Sequence, residues 1–383
     1  MYWRLSSFYL FYYASLGVLT PYWALYLKQR EFSDWHIGLL LALPHLTKLG
    51  APNLWGWLAD RRGRRRAIIQ LGALAATLIF GLVFLVDSLW GFAAVLIGYS
   101  FFWNAVMAQC EVVTLQSLGR DSDRYAWVRL WGSLGFMLAV LLVGALLEVQ
   151  PVAIVPVAMW AMLAALALST LLLPDPQVPS RERQAKPSIL PWLRRRDVQL
   201  FLSCAFLMQA SHGPYYSFFT IHLREQEVAG RWVGALWALG VLAEILLFLL
   251  VPWLLRRWSA AALLSLSLGL AVVRWSLTAL VGDQLLGLLL AQCLHAATFG
   301  CFHAAAMAWV HQRFPAAVAG QGQALYASLG SGAGWAGGAL LAGVIWQPLG
   351  AASFLVAAAM ALTALLLSSG LWQTRRENTD GHL

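Results

Sequence analysis

Five charged side chains stand inside long apolar stretches of this chain: Lys48, Glu111, Arg129, Glu244 and Arg274. Four histidines, His45, His212, His295 and His303, accompany them. An ionisable group at the centre of a bilayer costs about 2.5–3.5 kcal/mol on insertion scales, so each calls for a partner or a function. Two chemistries fit these residue types. A fixed guanidinium or ammonium binds a carboxylate or a set of hydroxyls, and arginine does so with a two-pronged fork. A carboxyl or imidazole away from fixed cations takes up and releases a proton. Three fixed cations against two acids leave one positive charge in excess before any histidine protonates. That balance suits an anionic ligand, because a lone buried cation is costly.

The stretches that carry these groups define the elements. The chain has 383 residues, 60% hydrophobic and 11% charged, with a mean hydropathy of +0.68. Soluble domains are about a quarter charged and under half apolar, so a soluble globular protein is excluded, and so is intrinsic disorder. The alternating segments of a membrane barrel are missing. A helical span takes roughly 20 apolar residues. The pattern predicts twelve, at 4–27, 35–59, 67–86, 90–117, 124–147, 152–173, 198–222, 232–255, 259–281, 284–311, 319–346 and 349–372. The expected fold class is an all-α membrane protein, with twelve transmembrane helices in two pseudo-symmetric six-helix bundles.

The net charge of +9 orients the chain. With the N-terminus inside, nineteen Lys and Arg fall on the inner side, among them Arg4, five of 61–66 and six of 181–196. Four fall outside: Lys28, Arg30, Arg224 and Arg231. This bias predicts both termini in the cytoplasm and a multi-pass protein of a bacterial cytoplasmic (inner) membrane. It is not a nucleic-acid footprint. Arg4 runs directly into an apolar span without a small-residue cleavage site, so an uncleaved first helix is expected. Cys110, Cys204, Cys293 and Cys301 all fall inside spans with no CxxC spacing, so neither a disulfide nor zinc is expected. No cofactor is expected beyond a coupling proton. Trp3, Trp23, Trp35, Trp57, Trp90 and Trp372 sit at span ends, where indole rings anchor to the lipid bilayer.

A stretch rich in proline and charge follows the sixth span, PDPQVPSRERQAKPSILPWLRRRD. It divides the chain into an N-terminal bundle (1–174), a cytoplasmic linker (175–197) and a C-terminal bundle with a short tail (198–383). Such halves place a substrate site near the midplane between them. The other loops are short and hold no nucleophile or metal cluster, which argues against an enzyme. No oligomer interface is evident, so a monomer is expected.

Depth pairs some of the charged residues. Glu111 lies about 12 Å from the inner end of the fourth span, and Arg129 about 9 Å into the fifth from the same side. They form either a structural ion pair or a ligand site. Lys48 sits about 13 residues into the second span, one turn from His45 and too deep to snorkel. Glu244, about 12 residues into the eighth, is either a proton carrier, alone or with His295 or His212, or a neutral hydrogen-bonded Glu. Tyr9, Tyr12, Tyr13, Phe101, Phe102, Trp103, Tyr215 and Tyr216 offer an aromatic lining, with core packing or lipid contact as the alternative. Pro44, Pro52 and Pro214 are expected to kink their helices, and the glycines of 320–343 to permit close packing.

One inner loop carries a motif: Gly56-Trp-Leu58-Ala59-Asp60-Arg61-Arg62-Gly63-Arg64-Arg65. Basic anchors and a turn at Gly63 account for most of it. They do not account for Asp60, an acid at the wrong end of a helix dipole. The pattern resembles the major facilitator superfamily, whose inner loop reads G-x-L-A-D-R-x-G-R-[KR]. That resemblance implies an inner gate at Gly56, Asp60, Arg61, Gly63 and Arg64 that latches the halves in one state. The counterpart loop of the second half keeps Arg256 and Arg257 but lacks the Gly and Asp.

Two branches of that superfamily are closer. Arg129-Leu-Trp-Gly-Ser133-Leu-Gly-Phe136, with Glu111 upstream, resembles the sugar-binding helix pair of the lactose permease family. Arg274 and His295 resemble its proton-coupling Arg and His. Thr298 stands where that family places a Glu, and Gln209 and His212 occupy the region of its paired acids, so its coupling machinery is not carried over whole. The stretches 2–17, Gln209-Ala-Ser-His212-Gly-Pro-Tyr215-Tyr216-Ser-Phe and Leu236-Trp-Ala-Leu-Gly-Val-Leu-Ala-Glu244-Ile are similar to the phenylpropionate permease family. The resemblance implies proton-linked uptake of an aromatic monocarboxylate by alternating access. Lys48, Glu111, Arg129, His212, Tyr215 and Arg274 are then the expected substrate contacts, with Glu244, His295 and Glu111 carrying the proton. Sugar or nucleoside symport is the alternative. Drug efflux, for which the fifth span lacks a Gly-Pro motif, a membrane-embedded enzyme and a non-transporting sensor rank below it.

Overall fold

The computed structural model describes residues 1–119, 124–175 and 188–372. Among them the regular structure is helical, without strands. The helices are α1 (Tyr2–Gln29), α2 (Asp34–Thr47), α3 (Ala51–Arg62), α4 (Arg65–Gly81), α5 (Leu89–Leu118), α6 (Tyr125–Leu146), α7 (Ile154–Thr170) and the single turn α8 (Leu190–Leu193). They continue with α9 (Arg196–Ser211), α10 (Gly213–Glu225), α11 (Gly230–Arg257), α12 (Ala260–Leu280), α13 (Leu285–Cys293) and α14 (Phe302–Arg313). The last are α15 (Ala316–Ala327), α16 (Trp335–Leu349) and α17 (Ser353–Ser368). π-Helical turns at Ala296–Cys301 and Ser328–Gly334 join α13 to α14 and α15 to α16. Seven helical stretches are long and apolar enough to cross a membrane by length and composition alone. Most residues of the expected linker 175–197, residues 120–123 and the tail lie outside the described residues.

Prolines explain why two expected spans are each two helices. Pro52 has no N–H to give the Lys48 carbonyl, so the chain turns at 48–50 and restarts as α3. Three i→i−3 bonds close that turn, from the N–H groups of Lys48, Leu49 and Gly50 at 3.1–3.3 Å. The Pro44 carbonyl instead accepts from the Thr47 hydroxyl at 2.9 Å and the Asn104 amide of α5 at 3.1 Å. A freed carbonyl in lipid has to be satisfied inside the protein, and this network does so. The second break falls at His212, ahead of Gly213 and Pro214. Here Gly213 is required for approach: a Cβ on it would stand 2.1 Å from the Gly338 carbonyl oxygen of α16.

Two compact units emerge, residues Met1–Glu182 with Ser217–Ala238 and residues Arg183–Tyr216 with Leu239–Leu383. In the first, α1 packs on α6 and α7, and α4 packs on α5 and α7. In the second, α9 packs on the Ser328–Gly334 turn and α17, and α12 packs on α14 and α17. The same pairing scheme therefore occurs twice along the chain. The first unit also holds the start of α11, fixed to α6 through Gly144, Gly230 and Gly234, with Arg231 3.6 Å from Glu148.

Candidate functional site

In the first unit Arg129 is the centre of an aromatic cluster. Its guanidinium donates to the Tyr13 hydroxyl and lies over the Tyr13 ring, 4.0 Å from the centroid, with the Tyr9 ring at 5.9 Å. Such cation–π contacts hold a charge without neutralising it. Close packing of α1 on α6 makes the contact possible, because a Cβ on Gly132 would come within 2.6 Å of the Tyr13 ring. Tyr12 stacks on Trp103 at 4.4 Å with the rings nearly parallel, and the Tyr9 hydroxyl donates to Thr114 at 3.2 Å. Glu111 is an electrostatic neighbour of Arg129 and Tyr125, but it is not within 4.0 Å of the guanidinium. Among the described residues, then, Arg129 has no carboxylate partner within 4.0 Å, so of the two alternatives for Glu111 and Arg129 the direct ion pair is not formed.

Lys48 and His45 stand at the break between α2 and α3, both half-buried. Phe101 and Phe102 pack around Trp55 in a cluster with Ala51, Ala59, Ile68 and Ala105, which is core packing and not lining. At the end of α3 the compensation expected for Asp60 is present: Arg65 of α4 pairs with it and also donates to Gln109 of α5. Gly63 ends α3 in the left-handed region at φ 65°, where its N–H caps the Ala59 carbonyl at 2.9 Å. Gly56 faces Gln109, Arg61 lies 5.3 Å over the Trp57 ring, and Arg64 is exposed just before α4.

The second unit holds a parallel arrangement. Arg274 is fully buried, donates to the Ala291 carbonyl at 3.0 Å and the Thr298 hydroxyl at 2.9 Å, and lies between the rings of Tyr215 (4.4 Å) and Trp275 (4.3 Å). Among the described residues it too lacks a carboxylate within 4.0 Å. Tyr215 donates to Gln292 at 2.8 Å. His212 uses Nδ1 on the Met208 carbonyl at 2.8 Å, which leaves Nε2 as the bare acceptor of its neutral form. His295 Nε2 is 3.9 Å from the Glu244 carboxylate, and the His212 and His295 rings are 6.4 Å apart. Arg274 Nη2, His212 Nε2 and His295 Nδ1 are buried and, among the described residues, make no hydrogen bond. Unsatisfied polar atoms of this kind mark places where a ligand or water belongs. His303 and His311 are engaged elsewhere, with Tyr326 and Gln323.

Some residues of this chemistry are not marked by any sequence signal. Asp197, at the start of α9, is 3% exposed and takes a bidentate pair from Arg195 at 2.8 and 3.0 Å, with Arg313 at 3.6 Å. Gln109, Gln292 and Asn104 owe their roles to partners more than forty residues away.

The model of the MFS_1 like family matches residues 2–357. A probable 3-phenylpropionic acid transporter of Escherichia coli (strain K12) is 31% identical over 366 residues, covering 94% of this chain and 95% of that protein. A maltose permease of Geobacillus stearothermophilus is 27% identical, covering 85% of this chain and 83% of its own length. Among solved structures, a mutant of the nucleoside transporter NupG superposes with a TM-score of 0.87 at 16% identity, over 97% of this chain and 99% of that one. At that identity the likeness speaks to the fold alone. The relatives are transporters and not enzymes.

Proposed function

This chain belongs to the MFS_1 like family of major facilitator transporters, and from that premise we propose that it is a proton-coupled importer of a small aromatic monocarboxylate. One observation carries the reading. Each unit holds an arginine, half-buried Arg129 in the first and fully buried Arg274 in the second, packed against aromatic rings and bonded to hydroxyl or carbonyl groups, with no carboxylate of its own within 4.0 Å among the described residues. An aryl carboxylate supplies both missing partners, an anion for the guanidinium fork and a ring for the aromatic faces. The 31% identity to a probable 3-phenylpropionic acid transporter supports the same substrate class.

In this scheme Arg129 takes the carboxylate, and Tyr9, Tyr12, Tyr13 and Trp103 receive the ring. Lys48 and Glu111 adjust the local charge. Arg274, Tyr215 and His212 serve the second unit, and the Glu244–His295 pair carries the proton. Asp60, Arg61, Gly63, Arg64 and Gly56 belong to an inner gate that Arg65 and Gln109 brace. The protein works as a monomer in a bacterial inner membrane, with both termini in the cytoplasm.

Proteoliposome uptake of labelled 3-phenylpropionate, with and without an inward proton gradient, tests the reading. Accumulation that collapses with a protonophore is the expected result. Binding without flux would make the chain a sensor. Neither binding nor flux would move the substrate to the sugars or nucleosides of the other relatives.

A further inference from the structure

A cavity of about 520 Å³ opens in the second unit at the end of α11, beside the Arg313–Asp197 pair and lined by none of Glu244, His295, His212, Tyr215 or Arg274. Its wall is basic. Arg256 and Arg257 end α11, and Arg313 ends α14. Arg256 and Arg257 are exposed and, among the described residues, have no carboxylate within 4.0 Å. Arg313 shares Asp197 with Arg195, so that cluster keeps a positive charge as well. The first residues of α12, Ala260 and Ala261, also line the cavity. The capping Ser259 hydroxyl is committed to the N–H of Ala262. Trp258 and Trp309 supply amphipathic edges.

The surroundings distinguish a lipid from a free ion. Leading up to the cavity, α11 shows an apolar surface: Leu246, Leu249 and Leu250 are more than half exposed, and Trp253 and Trp258 stand at its end. Interfacial tryptophans beside arginines mark headgroup depth, and basic pockets between helices at that level take lipid phosphates. A soluble phosphate would need the arginines but not the apolar flank.

We propose that this cavity binds the phosphodiester headgroup of an anionic phospholipid, with the acyl chains lying along α11. The proposal does not depend on what the protein transports. Native mass spectrometry of the full chain, with phosphatidylglycerol or phosphatidylcholine titrated into neutral detergent, is the test. Phosphatidylglycerol should be retained selectively. The R256Q/R257Q variant should need roughly 25-fold more lipid for the same occupancy, about fivefold per arginine. An R4Q/R62Q variant removes two arginines elsewhere and should bind like the wild type. Equal retention of both lipids by the wild type would overturn the proposal, and that comparison needs no variant to fold. So would an equal loss in R4Q/R62Q, which would mean diffuse charge attraction. Displacement of the lipid by millimolar inorganic phosphate would make the cavity a free-phosphate site and overturn the lipid assignment.

Discussion

The Arg129 guanidinium lies 4.0 Å from the centroid of the Tyr13 ring and donates to the hydroxyl of the same residue, although 116 positions separate the two in the chain. Orientation is thereby fixed while the charge stays available. A guanidinium paired with a carboxylate would already be neutralised, and a ligand anion would first have to displace that partner.

Replacing Arg129 therefore separates charge from shape. Arg129→Gln removes a charge-assisted contact of about 1.5–3 kcal/mol, so the affinity for an arylcarboxylate should fall roughly 10–100-fold. Arg129→Lys keeps the charge but loses the fork and the stacking plane, and should recover only part of that loss. Equilibrium binding by calorimetry on purified protein checks both. Wild-type affinity in Arg129→Gln would remove this residue from the site.

Two glycines of α6 test whether the packing of α1 on α6 sets this geometry. A Cβ on Gly135 would meet the Leu10 carbonyl oxygen at 2.1 Å, a backbone atom that cannot move alone. Gly135→Ala should lower stability by about 1–3 kcal/mol and depress Tm. On Gly132 the nearest atom belongs to the Tyr13 side chain, which can swing aside. Gly132→Ala should therefore leave Tm nearly unchanged while weakening ligand binding. Equal effects of the two on Tm would show that the Tyr13 ring is as fixed as the backbone.

Much of this site was legible in the sequence, because a charge in an apolar run stands out whatever the fold. Lys48, Glu111, Arg129, Glu244 and Arg274 were found that way. The polar side chains that brace the site do not stand out. Tyr13 is legible as one aromatic among several, whereas Gln292 and Gln109, which bond Tyr215 and Arg65, acquire a role only when α10 meets α13 and α4 meets α5. Asp197 was hidden for the opposite reason: it ends a polar stretch in which one more acid carries no signal. The break at 48–50 was half visible, since Pro52 marks a lost hydrogen bond but periodicity runs straight through it. The π-turns at Ala296–Cys301 and Ser328–Gly334 have no sequence signature of their own, yet the first begins directly after His295. π-Bulges of this kind occur often at functional sites.

The two helix-end acids Asp60 and Asp197 should respond differently to neutralisation. Asp60 is 55% exposed and pairs with one arginine, an arrangement worth about 0–1 kcal/mol. Asp60→Asn should hardly move Tm, and its cost should appear in transport rate if the loop is a gate. The Asp197 side chain is 4% exposed between two partly exposed arginines, so Asp197→Asn leaves two neighbouring positive charges uncompensated. Breaking a fully buried pair costs about 3–5 kcal/mol, and the partial exposure of both Arg195 and Arg313 reduces that here. Thermal denaturation of both variants beside their uptake rates checks the contrast. A larger Tm loss in Asp60→Asn than in Asp197→Asn would reverse the assignment of which pair is structural.

Glu244 and His295 stand 3.9 Å apart, beyond direct hydrogen-bond reach but near enough that a small side-chain movement or one bridging water would let a proton pass between them. If that pair couples transport to the proton gradient, Glu244→Gln should uncouple the two without blocking the path. The amide keeps the size of the side chain and its hydrogen-bonding capacity but cannot be ionised. Symport of one proton with a monoanion is electroneutral, so each unit of pH gradient supports about tenfold accumulation. The wild type in proteoliposomes should approach that ratio, whereas Glu244→Gln should equilibrate the substrate and stop at unity. Exchange of labelled for unlabelled substrate needs no net proton movement and should persist in the variant. Accumulation undiminished in Glu244→Gln would return this residue to a structural role beside His295 and place the coupling proton on another group.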